Sequence, residues 1–152
     1  MIPLFENIKE SLYVVGGEGN YDRELRNLAK SNKNIKFFGK LESKDLAKYY
    51  KNALAVIIPS IVPEVFPMVA LESLSYGTPI IVNDMGGLPE IVSKSKAGFI
   101  FKHSNDIVSA INLIKTNKRL RNKLSINALK AYKEYYSKEI FFKKYFELIK
   151  NA

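Results

Sequence analysis

Two carboxylates, Glu64 and Glu72, stand eight positions apart near the middle of this chain and flank the start of an apolar segment. Glu72 is the only charged residue in the run that begins at Met68. Pro67 suits the first turn of a helix, because the N–H that proline lacks would have no intrahelical partner there. Ten residues later, Gly77 suits a left-handed helix cap. We therefore predict a short helix that begins just after Glu64 and carries Glu72.

Such a helix could bind phosphate and hydroxyl groups together. A carboxylate in so apolar a helix needs water, a partner or a ligand. The free N–H groups and the positive dipole end at a helix N-terminus attract phosphate. Glu72 lies roughly 8–9 Å along the helix from its start, at about 1.5 Å per residue. This is close to the reach from a ribose across a diphosphate to a sugar, so the segment could hold a nucleotide sugar.

The elements that must position these residues alternate along the chain. Short apolar runs predict strands at 12–15, 35–38, 54–58, 80–82 and 98–101. Helical spacing and caps predict a helical remnant at 4–10, a helix from a cap at Asn20 or Asp22 to Ser31, and helices at 44–52, 67–76, 87–93, 105–117, 118–135 and 138–150. This alternation predicts an α/β fold with a doubly wound, Rossmann-like parallel sheet, formed as a single domain over residues 1–152.

In such a sheet, ligands bind beyond the carboxyl ends of the strands. The loops that leave those ends are predicted at 16–19, 39–42, 59–66 and 83–87. Gly16-Gly17-Glu18-Gly19 is either a tight turn or a phosphate-side loop, because the full dinucleotide-binding spacing lacks its third glycine. The candidate site is therefore the edge that these loops share.

Composition excludes several classes of chemistry. The chain has no cysteine, which excludes disulfides and thiol nucleophiles, and a single histidine, which excludes a cluster of histidine ligands. No apolar run approaches the ~18 residues of a membrane span, and no basic-headed signal segment precedes the first strand. We therefore expect a cytoplasmic protein.

The net charge of +9 is concentrated near the C-terminus. Residues 102–152 hold twelve basic side chains and four acidic ones, and across the chain lysines outnumber arginines by twenty to four. A solvated face, attraction to anionic lipid or acidic polymer, and nucleic-acid binding are the three interpretations. The scarcity of arginine counts against base recognition. We expect no nucleic-acid partner, while a peripheral contact with a membrane stays open.

The central motifs also resemble a known family. Glu64 and Glu72 are followed by Ser-Leu-Ser-Tyr-Gly-Thr-Pro and then by Gly-Gly-Leu-Pro-Glu-Ile-Val at 86–92. Together they resemble the C-terminal half of the group 1, or family 4, glycosyltransferases over about residues 4–150. The resemblance implies a retaining GT-B enzyme of polysaccharide biosynthesis. Such an enzyme would transfer a hexose from a nucleotide-diphospho-sugar to a glycan or lipid-linked acceptor, without a metal or other cofactor.

The resemblance also implies roles for individual residues. Glu64 would be the catalytic residue that faces the transferred sugar, and Glu72 would bind the ribose hydroxyls. The remaining donor-binding residues would lie around the phosphates and the base: Phe66, Pro67, Met68 and Val69 at the helix start, Gly16 and Gly17 beside the donor, and Gly39, Lys40 and Leu41 against the base.

The sequence departs from the family in ways that bear on activity. It has no Gly-Arg pair to neutralise the diphosphate, and Pro67 stands where the family often has glycine. The expectation is half of a GT-B architecture, without its first strand and without the N-terminal domain that would bind the acceptor. Such a chain would not transfer sugar by itself. The alternative is a non-catalytic module that binds an anionic polymer or a partner through its basic C-terminal helices.

The last helix has an apolar stripe of its own. At helical spacing the stripe contains Ile140, Phe141, Tyr145, Leu148 and Ile149, with Phe142 and Phe146 beside it. A contiguous apolar surface of this kind rarely remains in water. We therefore expect part of the stripe to mediate a weak homodimer.

Overall fold

The computed structural model describes residues 1–16 and 19–150. They form two compact units, Met1–Lys48 and Tyr49–Ala152, and the boundary falls within the helix Ser43–Asn52. Each unit has its own parallel sheet. Throughout the described ranges, no helix combines the length and apolar character needed to cross a bilayer.

The first unit is a strand–helix–strand arrangement with a short helical turn before it. Its elements are a 3-10 turn (Ile2–Glu6), β1 (Leu12–Val15), α1 (Asp22–Ala29), β2 (Ile35–Gly39) and the beginning of α2 (Ser43–Asn52). Strands β1 and β2 are parallel, with Leu12 opposite Ile35. The crossover through α1 is what allows two consecutive strands to run in the same direction.

The second unit contains a three-stranded sheet and most of the helices. Its elements after α2 are β3 (Val56–Ile58), α3 (Met68–Ser75), β4 (Ile80–Asn83), α4 (Leu88–Ser95), β5 (Gly98–Phe101), α5 (Ser104–Thr116), α6 (Lys118–Ala131), a π-helical turn (Tyr132–Tyr136) and α7 (Lys138–Lys150). The strand order is β3-β4-β5, and both pairings are parallel.

Strand β4 is the centre of the second unit's core. Ile80, Ile81 and Val82 are completely buried, as expected for a continuous apolar run with a strand on each side. Leu71 and Leu74 of α3 belong to the same core cluster as Ile80 and Val82. The predicted run at 54–58 shortens to β3 and is only partly buried, because β3 has one neighbour in this sheet.

The α/β class with parallel strands is confirmed, and so is the order of the elements. The strands form one two-stranded and one three-stranded sheet, one in each unit. The assignment of residues 1–152 to a single domain stays a prediction.

Three predicted helix ends can be compared with the structure. Gly77 has the predicted left-handed conformation, with φ of +73°. Helix α3 begins one residue later than predicted, at Met68, so Pro67 is its N-cap and not part of its first turn. The predicted cap at Asn20 or Asp22 is wrong, because Tyr21 is the N-cap and Asp22 begins α1, where its carboxylate pairs with Arg26 at 2.7 Å.

One residue of the apolar stripe on the last helix differs from the others in burial. Ile140 is partly buried, and it lines a cavity of about 400 Å3 together with Leu129 and Tyr132. The other members are exposed, and α7 has no buried residue. Ile140 differs because a residue at position 140 points about 100° away from one at 141, toward the side that meets α6 and the π-helical turn.

Candidate functional site

The loop between β3 and α3, which contains Glu64, lies directly against the loop after β4. The N–H of Gly87 donates to the carbonyl oxygen of Glu64 at 2.8 Å. A Cβ at Gly86, whose φ is +56°, would lie 2.5 Å from the same carbonyl oxygen, and one at Gly87 would collide with the carbonyl of Val65. The glycine pair is therefore needed for close approach of the two loops.

Three further polar contacts involve this loop. The side-chain amide of Asn83 donates to the carbonyl oxygen of Ser60 at 2.9 Å. The Ser60 hydroxyl lies within donor distance of Oε1 of Glu64, at 3.2 Å, and of the carbonyl oxygen of Val62, at 3.0 Å. The Glu64 side chain remains exposed. An exposed carboxylate thus lies at the carboxyl edge of the β3-β4-β5 sheet, on a backbone that is bonded at several points.

Glu72 lies on the second turn of α3 and is also exposed. Its Oε2 accepts a hydrogen bond from the hydroxyl of Tyr50 at 2.9 Å. A carboxylate has lone pairs for about four hydrogen bonds, so this contact leaves capacity for a ligand's hydroxyl groups. The Glu72 carboxylate can therefore accept further hydrogen bonds while the hydroxyl of Tyr50 keeps it oriented.

Tyr50 itself is held on several sides. Its ring stacks on that of Tyr76, with centroids 5.5 Å apart and planes 11° from parallel. Its carbonyl oxygen accepts from the buried hydroxyl of Thr78 at 2.5 Å. Burial, followed by the hydrogen bond and negative charge of Glu72, raises the pKa of the Tyr50 hydroxyl far above its usual range. Tyr50 therefore remains a proton donor at any physiological pH.

The start of α3 offers backbone donors next to these carboxylates. Pro67 is the N-cap and has no side-chain group that could cap the helix. The first N–H groups of a helix lack intrahelical partners, and here they belong to Met68 and Val69, whose side chains are exposed. Phe66 is exposed as well, and its ring lies 6.2 Å from that of Tyr136.

The candidate residues of the first unit lie where β1 and β2 end. The N–H of Gly16 donates to the carbonyl oxygen of Gly39 at 3.0 Å, and Gly39 has φ of +64°. Both glycines line a cavity of about 150 Å3 together with the beginning of α1. Lys40 is exposed and Leu41 is half-buried. Gly17, also predicted to bind the donor, lies outside the described residues.

Sequence reasoning identified Glu64, Glu72 and the glycine pair, but it missed Tyr50, Ser60 and Asn83. Tyr50 belongs to the predicted helix 44–52, and the helical spacing gives it no further role. A second aromatic at position 49 gives the same pattern, so no local signal distinguishes the tyrosine that reaches Glu72. The distribution of roles between Glu64 and Glu72 stays a prediction.

The chain matches a known family over most of its length. Residues 2–131 match the family model described as glycosyl transferases group 1. An uncharacterised glycosyltransferase of Methanocaldococcus jannaschii is 32% identical over 129 residues, which is 82% of this chain and 33% of the relative. The chain thus spans about a third of that relative's length.

Two solved structures share the fold. The structure of Anabaena HepE in complex with UDP has a TM-score of 0.89 at 19% identity, covering 99% of this chain and 44% of that one. The C-terminal domain of a group 1 family glycosyltransferase from Francisella tularensis has a TM-score of 0.75 at 23% identity, covering 90% of this chain and 75% of that domain. The fold is that of the C-terminal half of GT-B proteins, and the chain belongs to the group 1 glycosyltransferases.

Proposed function

We propose that this chain binds the nucleotide-diphospho-sugar donor of a retaining hexosyltransferase. The transfer would break the bond between the sugar's anomeric carbon and the diphosphate. It would form a bond to an oxygen of a glycan or lipid-linked acceptor on the same face, and a nucleoside diphosphate would leave. The observation that carries the proposal is the exposed carboxylate of Glu72 on α3, which accepts a hydrogen bond from the hydroxyl of Tyr50 on α2.

In this proposal Glu72 accepts hydrogen bonds from the ribose hydroxyls. A carboxylate at neutral pH can only accept hydrogen bonds. The two neighbouring hydroxyls of a ribose can each donate one to it. The exposure of Glu72 gives a ligand access to its carboxylate. The hydrogen bond from Tyr50 occupies only part of the acceptor capacity of Oε2. The HepE structure with the same fold is a complex with UDP, a nucleotide that contains such a diol.

The start of α3 would bind the distal phosphate. The N–H groups of Met68 and Val69 are at the positive end of the helix dipole and have no side-chain cap from Pro67. Pro67 removes one N–H donor but leaves those of the first turn. No metal or other cofactor is expected to take part, and this too stays a prediction.

Glu64 would face the transferred sugar. Hydrogen bonds from Gly87 and Asn83 hold the backbone of the loop that carries it. A fixed carboxylate near the anomeric carbon would accept sugar hydroxyls and favour the positive charge that develops as the leaving group departs. The acceptor would be supplied by a further domain, because catalysis requires both reactants to be held together.

Calorimetric titration with UDP, GDP and ADP tests the proposal directly. At least one of the three should bind, and Glu72→Ala should weaken its binding by about tenfold or more, since hydrogen bonds to a charged group contribute about 1.5–3 kcal/mol. Glu147→Ala on α7 is the matched control, because it removes an exposed glutamate far along the chain from the site. Absence of binding by all three nucleotides would overturn the proposal.

One observation favours the alternative of a basic, non-catalytic module. The lysines of α7 are exposed on a helix without any buried residue. Binding to an acidic polymer should then weaken steeply as salt rises, because counterions are released on binding. Retention on heparin that is lost at moderate salt, with no nucleotide binding in the titration above, would favour this alternative.

A further inference from the structure

We infer that Tyr50 is a positioning residue for the donor, acting through Glu72 and not by touching the nucleotide. Its hydroxyl holds the Glu72 carboxylate in the orientation that receives the ribose hydroxyls. This inference rests on the proposed function, and it adds a residue to which neither the family motif nor its spacing assigns a role.

Tyr50 is suited to this task because it is rigid. The residue is 9% exposed, its ring stacks on Tyr76, and its carbonyl oxygen accepts a hydrogen bond from the hydroxyl of Thr78. Thr78 is buried where the chain enters β4, the central strand of the core. The hydroxyl of Tyr50 is therefore a donor fixed by the core of the second unit.

Glu72 needs such a contact because it is exposed. A glutamate side chain has three rotatable bonds, and ordering it costs rotamer entropy. A bond from a fixed donor removes part of that freedom before the ligand arrives, so less is lost on binding. The raised pKa of Tyr50 means that this donor keeps its proton over the range in which nucleotides bind.

The competing explanation is that the Tyr50–Glu72 bond only joins α2 to α3. The two explanations differ in their dependence on the ligand. A purely structural bond would affect every nucleotide alike, whereas a bond that orients Glu72 toward the ribose matters only when the ribose has hydroxyls. Comparison of UDP with 2′,3′-dideoxy-UDP separates them.

The test is calorimetric titration of the whole chain and its Tyr50→Phe variant. Phenylalanine keeps the stacked ring and removes one oxygen. We expect binding of UDP to weaken by about threefold to tenfold, as for the loss of one hydrogen bond. Binding of dideoxy-UDP should not change. If GDP or ADP binds more tightly than UDP, that nucleotide and its dideoxy form replace the pair.

Two controls make the result specific. Tyr145→Phe removes an exposed hydroxyl on α7 and should leave both affinities unchanged. In the Glu72→Ala background, Tyr50→Phe should cause no further loss, because residues that act through one contact are not additive. Thermal unfolding of each variant establishes that it is folded.

A measurement on the unmodified chain supports the comparison of affinities, and the Tyr50→Phe variant is needed there only to assign the signal. In the 13C NMR spectrum of the tyrosine ring carbons that bear the hydroxyl, one of the nine tyrosine signals should move when UDP binds and stay in place with dideoxy-UDP. That signal should be missing from Tyr50→Phe.

Each outcome has one meaning. Equal losses for UDP and dideoxy-UDP, or no loss for either, would overturn the role of Tyr50 while the donor-binding proposal stands. Failure of the unmodified chain to bind any of the three nucleotides would overturn the donor-binding proposal, and the role of Tyr50 with it.

Discussion

Helices α3 and α7 are both rich in apolar side chains, yet they differ completely in burial. In α3, Ala70, Leu71 and Leu74 are inside the core of the second unit. In α7, the apolar stripe and the two phenylalanines beside it include four aromatic side chains, and no residue of this helix is buried. The comparison teaches that apolar spacing identifies a helix and its face, whereas burial depends on whether another element covers that face.

The reason for the difference is visible in the neighbours of each helix. Helix α3 lies beside β3 and β4 and contacts α6, so its small apolar side chains meet other apolar groups. The aromatic rings of α7 stack mainly on each other, Phe141 on Tyr145 and Phe142 on Phe146, both with centroids 6.2 Å apart. Contacts within one helix turn cannot remove an aromatic face from water.

The largest expected effect compares one leucine from each helix. Leu74 is 0% exposed and Leu148 is 72% exposed. Leu74→Ala should lower the free energy of unfolding by about 2–5 kcal/mol through lost burial and a cavity. Leu148→Ala should change it by less than about 0.5 kcal/mol. Urea unfolding followed by circular dichroism measures both, and equal effects would contradict the comparison.

A smaller effect is expected at the end of α3. Gly77 has φ of +73°, and a Cβ there would lie 3.1 Å from Cγ of Leu129. Gly77→Ala should therefore reduce stability by about 1–2 kcal/mol, from left-handed strain and crowding together. Gly19→Ala is the control, because a Cβ there meets no atom of the described residues within 4 Å and its φ is not in the left-handed region. A loss at position 19 as large as that at 77 would argue against this explanation.

The third prediction concerns the exposed stripe of α7. We predict weak, concentration-dependent self-association through this face, since each well-buried aromatic contributes about 2–3 kcal/mol. The double variant Phe142→Ser and Phe146→Ser should sediment as a monomer and keep its unfolding free energy within about 0.5 kcal/mol. A large loss of stability in this variant would mean that the face is buried within its own chain.

The control for that experiment replaces charge and keeps the stripe. Lys143→Gln and Lys144→Gln are exposed and should leave self-association in place or strengthen it, because like charges are removed. A monomer at every concentration of the unmodified chain would contradict the prediction of a weak dimer.

The smallest effect is electrostatic and lies at the start of α5. The carboxylate of Asp106 accepts hydrogen bonds from the backbone N–H groups of Lys102 and His103, at 3.0 and 2.9 Å, which hold its pKa below the usual value. Its contribution is present above the pKa of an unfolded aspartate and is lost as the pH falls through the folded value.

The measurement compares the unmodified chain with Asp106→Asn. The difference in unfolding free energy should be greater at about pH 6 than at about pH 3, because on acidification the aspartate of the unfolded chain takes up a proton more readily than the folded one. Glu147→Gln serves as a control on an exposed glutamate of α7. If the difference in unfolding free energy between the two proteins grew as the pH falls, the stabilising role of the Asp106 carboxylate would be contradicted.

Much of the fold could be predicted because it depends on local patterns. The run Ile80–Val82, the glycine after α3 and the alternation of strands with helices each express a preference of a few neighbouring residues. The ends of the helices are predicted less accurately than their existence. Asp22, for example, is one of two predicted caps and instead begins α1. At a helix end two or three polar residues compete, and packing selects among them.

The class of fold, the order of its elements and the family motif around Glu64 and Glu72 could all be predicted from the amino-acid sequence. What these residues contact became clear from the folded chain. Tyr50 and Glu72 are 22 positions apart, and Gly87 reaches Glu64 across an entire helix and strand. The aromatic face of α7 remains uncovered. The physical reason is the same in each case: side-chain type and spacing act over one or two turns, whereas contact and burial require partners that only folding brings together.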